Sequence, residues 1–146
     1  MLFEGTVNIK APREKVWGYL TDPEFVCQCA PGVQSVEVIE PDKRFKATAV
    51  VGFGAVKLKF ETDIEWVEFI THDYAKMKAH GKTPGSGVDV ISEMFLVNRD
   101  GTTDLNWKAD VVVVGQIANT AARLMSGVAR NMTTAFFNTV KEKIEA

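Results

Sequence analysis

The segment GQIANTAARLMSGVARNMTTAFFNTVKEKIEA, residues 115–146, decides the fold. Ile117, Ala121, Leu124, Val128, Met132 and Ala135 recur at steps of three and four. At about 100° per residue they form one stripe, flanked by Met125, Ala129 and Phe136. Arg123, Arg130, Thr134 and Lys141 fall on the opposite side. No proline interrupts the run, and Gly115 stands just before it. The spacing predicts one long helix from about Gln116 to about Lys143. Such a helix has to bury its stripe against something, and the strands that precede it are the partner the chain offers.

Those strands are written in alternation. Val56, Leu58, Phe60, Thr62, Ile64 and Trp66 point one way; Lys57, Lys59, Glu61, Asp63 and Glu65 point the other. One packed face and one solvated face is the signature of an antiparallel sheet covered on one side. Arg44 to Val51 carries Phe45, Ala47, Ala49 and Val51 on one face, and Gly52-Phe53-Gly54 makes the turn between the two. Val33 to Glu40 precedes them, closed by Pro41-Asp42-Lys43. Tyr74 to Gly81 presents Ala75, Met77 and Ala79 inward, and Thr83 to Gly87 reads as a loop. Val88 to Asn98 and Thr102 to Val114 form a hairpin, with Leu105, Trp107, Ala109, Val111 and Val113 sharing a face.

At the start, Phe3 to Lys10 alternates as a strand. Ala11-Pro12-Arg13-Glu14 opens a short helix with Val16, Trp17 and Leu20 as its apolar face. Thr21-Asp22-Pro23-Glu24 opens a second, with Asp22 as N-cap and Pro23 at the first helical position. The order is β-α-α-β6-α. That is an α+β layout, a seven-stranded curved antiparallel sheet around a long C-terminal helix, and residues 1–146 read as one domain.

The net charge of −2 gives no basic footprint for nucleic acid. No apolar stretch approaches the roughly 18 residues of a spanning helix, and Met1-Leu2-Phe3-Glu4 lacks the start of a signal peptide. A cytoplasmic location is expected. A bridge between Cys27 and Cys29 would span one residue and be strained, so two free thiols are expected. His72 and His80 lie on another segment, too few and too far for a metal site. There is no nucleophile motif and no phosphate-binding glycine loop, so no catalytic residue is assigned.

Several stretches together carry a family resemblance. They are Ala11-Pro12-Arg13-Glu14-Lys15-Val16-Trp17, Cys29-Ala30-Pro31-Gly32-Val33, Gly81-Lys82-Thr83-Pro84-Gly85-Ser86-Gly87, and Val113-Val114-Gly115-Gln116-Ile117-Ala118. Over the full length the chain resembles the carbon monoxide dehydrogenase G-subunit (CoxG-like) family of the START/Bet v 1-like (SRPBCC) superfamily. The resemblance implies a helix-grip fold with a deep apolar cavity beneath the C-terminal helix. It also implies association with molybdenum-containing carbon monoxide dehydrogenases and related hydroxylases, in maturation, membrane recruitment or electron delivery to a quinone. Some members carry a hydrophobic C-terminal extension; the polar ending Lys141 to Ala146 does not lead one to expect self-anchoring here.

The ligand-binding residues expected on this basis are Phe53, Phe60, Trp66, Met77, Leu105, Trp107, Leu124, Met125, Val128, Met132 and Phe136. Small and flexible helix residues opposite a curved sheet leave volume, and methionine adapts to varied ligands. The competing reading is that the alanines merely permit close helix–sheet packing. Phe53, between two glycines at a hairpin tip, is read as a gate facing the Thr83–Gly87 loop, against the reading of an ordinary surface phenylalanine. His80 or Tyr74 would orient a ligand's head at the mouth. The expected function is non-enzymatic binding of a lipid or isoprenoid quinone, with peripheral contact at the inner face of the membrane. The rivals are a polyketide cyclase/aromatase-like enzyme, which needs an ionisable group in the cavity, and an assembly factor without a ligand.

Overall fold

The structure, a computed structural model, describes residues 1–53, 55–120 and 122–146, without the side chains of Phe53, Asn119, Thr120, Ala122 and Arg123. Its elements run β1 (Leu2–Ile9), α1 (Arg13–Leu20), α2 (Pro23–Cys29), β2 (Val33–Glu40), β3 (Arg44–Phe53), β4 (Val56–Ile70), β5 (Tyr74–Thr83), β6 (Ser86–Arg99), β7 (Thr102–Gly115), α3 (Gln116–Thr120) and α4 (Ala122–Glu145). The strands form one seven-stranded sheet in the order β1-β7-β6-β5-β4-β3-β2. Every pairing is antiparallel. The opening strand therefore closes the sheet beside the last one, and α1 and α2 fill the long connection between its two edges.

The local signals work as their chemistry dictates. Asp22 caps α2, its Oδ1 accepting from Glu24 N at 3.1 Å, with Pro23 in the first turn. Gly32 sits at φ +81°, where a Cβ would lie 2.1 Å from Val50 O, so the Pro31-Gly32-Val33 step needs glycine. Gly115 ends β7 at φ +90°, where a Cβ would lie 2.1 Å from Gly85 O. That closeness lets Gln116 N donate to Gly85 O at 3.0 Å and Ile117 N to Ser86 Oγ at 3.1 Å. The β5–β6 turn is thus stitched to the start of α3. It is also shorter than the predicted Thr83–Gly87 loop: Thr83 pairs with Ser86 and Gly87 with Lys82, leaving Pro84 and Gly85 at the tip. Likewise Gly52 and Phe53 belong to β3, with Phe53 opposite Val56 as the last pair; Gly54, the other glycine of that predicted turn, lies outside the described residues.

The C-terminal helical segment is as predicted in place and extent, α4 running unbroken through Gly127 to Glu145; Ala121 lies outside the described residues. Its buried stripe is turned relative to the prediction. Met125, Val140 and Ile144 are buried, Val128, Met132, Phe136 and Phe137 half-buried, and Leu124 and Ala135 face solvent. A step of one residue is about 100° of rotation, so exchanging Leu124 for Met125 and Ala135 for Phe136, with Val128 and Met132 kept, turns the stripe by about half of that.

Under α4 the interior is divided. Beneath its C-terminal half, Val140 and Ile144 close a core with Ile9, Val16, Trp17, Leu20, Phe25, Leu96 and Leu105. At its N-terminal end, Met125 packs with Ile117 and Phe60, bordered by Val51, Leu58, Val88 and Val113. A third cluster of Cys27, Phe45 and Ala47, with Ile64 and Trp66 against it, lies under α2.

Candidate functional site: an apolar cavity under the last helix

Between sheet and α4 lies a cavity of about 310 Å³. Its floor is a set of inward positions from five neighbouring strands: Ala49 and Val51, Phe60 and Thr62, Ala79 and Gly81, Val88 and Val90, Ala109 and Val111. The register explains why they converge. Ala49 stands opposite Phe60, Thr62 opposite Gly81, Gly81 opposite Val88, Ala79 opposite Val90, and Val90 opposite Val111. Three alanines, a threonine and a glycine sit where large side chains would otherwise meet the helix. The roof is Met125, Val128, Ala129, Met132 and Thr133 of α4. A Cβ on Gly81 would already come within 3.3 Å of Thr62 Oγ1 and 3.5 Å of Phe60 Cδ1.

The wall is chemically plain. Thr62 and Thr133 are its polar side chains, and Thr133 Oγ1 is occupied with the helix, donating to Ala129 O at 3.0 Å. Among the described residues no ionisable side chain lines it. Such a surface offers van der Waals contact and exclusion from water, with little to orient a charged group.

Four of the expected binding residues meet here: Phe60, Met125, Val128 and Met132. The structure does not bring the other large ones to the cavity. Leu105 is sealed in the core at 1% exposure. Trp107 is stacked on Phe137 with ring centroids 4.8 Å apart, and Phe136 meets Phe137 edge-on at 4.9 Å. Trp66 packs on Phe69 at 5.1 Å, and Met77 stands beside it across the β4–β5 ladder. Leu124 faces solvent at 48% exposure. Of Phe53 the backbone is placed, at the end of β3, but its side chain is outside the described set.

The two head-orienting candidates also lie elsewhere. Period two puts Ala75, Met77, Ala79 and Gly81 of β5 inward, so Tyr74 and His80 turn to the convex face. There His80 Nδ1 is 2.6 Å from Asp89 Oδ1, and the Tyr74 hydroxyl donates to Glu93 Oε2 at 2.5 Å. That bond, with desolvation and the negative charges of Glu93 and Glu68, pushes the phenol up to about 12. The cysteines are buried, and burial pushes the Cys27 thiol up to about 11. Among the described residues no group of three His, Cys, Asp or Glu side chains is arranged to hold a metal ion. None of their helices is long and apolar enough to cross a membrane.

Sequence reasoning missed Ala49, Val51, Thr62, Ala79, Gly81, Val88, Val90, Ala109, Val111 and Thr133 as cavity wall; Ala129 it had counted among the small helix residues that leave volume. Alternation already marked Ala49, Ala79 and Ala109 as inward. Their meaning emerges only once strand register places them side by side.

Comparison with known proteins fits this architecture. The sequence matches the carbon monoxide dehydrogenase G-subunit (CoxG) family over residues 5–145. The chain belongs to that family. No curated protein matches the chain in sequence. Among solved structures, this CoxG-family chain is similar to a conserved protein from Geobacillus kaustophilus at 27% identity and TM-score 0.89, covering 99% of this chain and 95% of that one. It resembles the Zhui aromatase/cyclase from Streptomyces sp. R1128 at 18% identity and TM-score 0.75, covering 99% and 93%. A START superfamily protein from Mycobacterium smegmatis matches at 12% identity and TM-score 0.73, covering 99% and 97%. The last two establish the fold alone: helix-grip, START/Bet v 1-like.

Proposed function

We propose that this CoxG-family protein binds a hydrophobic small molecule, an isoprenoid quinone or a lipid, between sheet and α4. The partner we assign is a molybdenum-containing carbon monoxide dehydrogenase or related hydroxylase, following the family's name. The observation that carries the binding reading is the wall: apolar on every described side except for the hydroxyls of Thr62 and Thr133. Uptake is then driven by desolvation, at roughly 25 cal/mol per Å² of apolar surface removed from water. A volume of about 310 Å³ is at the lower end of small-molecule sites. It suits one segment of a branched tail, with the remainder of the ligand held at the mouth.

The aromatase/cyclase fold neighbour raises a catalytic alternative. That chemistry needs an acid–base group touching the substrate, and the described wall supplies none, which favours the binder. The test is organic extraction and native mass spectrometry of protein purified without detergent, followed by calorimetric titration with a short-chain quinone. A co-purifying lipid or quinone, or saturable binding at one site, is the expected result. Protein that emerges empty and takes up neither compound refutes the reading.

A further inference from the structure

One side of the cavity is formed by side chains that also belong to the surface. Met125 and Val111 line it, and the same two line a cleft of about 310 Å³ on the outside, completed by Met1, Val112, Val113 and Ala118. Two spaces of similar size thus meet across one partition. All six cleft side chains are apolar, and among the described residues no ionisable side chain lines either space.

Of the partition's two members, one moves easily. Val111 is β-branched and held in β7 opposite Val90, so its χ1 is restricted. Met125 is unbranched and flexible. It is 7% exposed and packs with Ile117 and Phe60. Turning it aside gives up van der Waals contacts, which a chain entering the same space restores. The far side of the cleft is fixed. Ala118 belongs to α3, whose start is held by Gln116 N donating to Gly85 O at 3.0 Å and Ile117 N to Ser86 Oγ at 3.1 Å. Ile117 beside it is 5% exposed. The cleft is therefore preformed, and Met125 is the part that yields.

We propose that cavity and cleft are two halves of one site: a ligand too long for the cavity passes Met125 and lays the rest of its chain along β7 and α3. The walls of both halves select an uncharged hydrocarbon chain, isoprenoid or acyl, larger than the space beneath α4. This rests on the proposed ligand reading, and it assigns a place to the part of the ligand that the cavity does not hold. Each methylene that leaves water for the cleft raises affinity by up to about fourfold. Length beyond the cavity is thus rewarded only if the cleft is used.

The experiment compares geraniol with geranylgeraniol, a neutral prenol twice as long, each in competition with the fluorescent probe N-phenyl-1-naphthylamine. Wild-type protein is expected to prefer the longer prenol by about tenfold or more. Val112 is 51% exposed, so Val112→Asp charges the cleft without touching the core; it should bring the preference below about threefold. Ala118→Gln fills the cleft from α3 and should do the same, and it serves alone if circular dichroism shows that Val112→Asp does not fold. Val97→Asp, the same change at a position 38% exposed elsewhere on the sheet, should leave the preference as in wild type. A flat preference in wild type, a preference that survives both cleft variants, or an equal loss in Val97→Asp overturns the proposal. Geraniol bound with a flat preference overturns the second half of the site and leaves the ligand reading standing. Failure of both prenols to displace the probe overturns the two together.

Discussion

Ala79→Leu and Ala75→Leu are the same substitution on the same face of β5, and the structure predicts opposite signs. Ala79 lines the cavity, opposite Ile64 and Val90. Ala75 is 1% exposed in the closed core. At about 24 cal/mol per Å³, the cavity-creation scale puts roughly 7 kcal/mol on a dry void of about 310 Å³. That is an upper bound for a cavity open to solvent, and it is comparable to the whole stability of a domain, about 5–15 kcal/mol. Three added carbons at position 79 recover up to about 2.4 kcal/mol at about 0.8 per buried carbon. Side-chain ordering takes back about 0.5–1. Ala79→Leu should therefore stabilise the ligand-free protein by about 1.5 kcal/mol, raising its Tm by a few degrees. It should also weaken a quinone or lipid that needs the same space by tenfold or more. At position 75 there is no space, and overpacking costs about 1–3 kcal/mol. Differential scanning fluorimetry and urea unfolding of both variants, with and without ligand, measure each term. Ala79→Leu destabilised as much as Ala75→Leu, with ligand affinity unchanged, would refute the cavity.

Other perturbations probe separate parts of the argument. Phe53→Asp at the end of β3 should keep the fold and slow uptake of a hydrophobic ligand from liposomes more than from detergent; unchanged liposome transfer would remove Phe53 as a gate. His80→Ala should leave quinone affinity within about tenfold, roughly 1.4 kcal/mol, because the imidazole faces Asp89 on the convex side; calorimetry showing complete loss would contradict its placement. Hydrogen bonds from Asn8 and Arg99 hold the Asp104 carboxyl below 3.8. Its contribution to stability is thus present above that value and is lost as pH falls through the folded-state pKa. NMR carboxyl titration should show Asn8→Ala raising the Asp104 pKa, and no movement would break that assignment. With its thiol pushed up to about 11 by burial, Cys27 should react with a thiol reagent at pH 8 far more slowly in native than in urea-unfolded protein.

The strands were legible because one face of the sheet is wet, and period two survives wherever that holds: Leu58 to Trp66 reads correctly residue by residue, and Val56 at the strand's start is exposed. The helix was legible in existence and length but not in phase. Leu124 and Met125 are both apolar, as are Ala135 and Phe136, so the stripe can be drawn through either member of each pair. Only the sheet decides, by offering Val51, Leu58 and Phe60 to Met125. The large aromatic residues were expected to line the cavity; Phe60 does, while Trp66, Trp107 and Phe136 pack elsewhere. A big inward side chain consumes space, as Trp107 does against Phe137. A void is written in what is missing, at Ala49, Ala79, Gly81 and Ala109. His80 was misplaced by reading its neighbourhood and not its parity, since Ala79 and Gly81 already occupied the inward positions.

The division along α4 then separates stability from binding in one element. Phe136, Phe137, Val140 and Ile144 clamp the helix onto the core made with β1, α1 and α2. Lys141 Nζ adds a 2.6 Å bond to Asn8 O, and Glu145 accepts from Lys10 N at 3.0 Å. These contacts cross from the last turns of the chain to its first strand, closing the topology. Met125, Val128, Ala129 and Met132, one to three turns earlier, rest on a floor of small residues with space between. A helix held at its C-terminal end and loosely seated toward its N-terminal end opens, when it opens, from the loose end. Local opening free energy follows the density of buried contacts, so motion that admits a ligand is concentrated beside α3 and the β3–β4 tip.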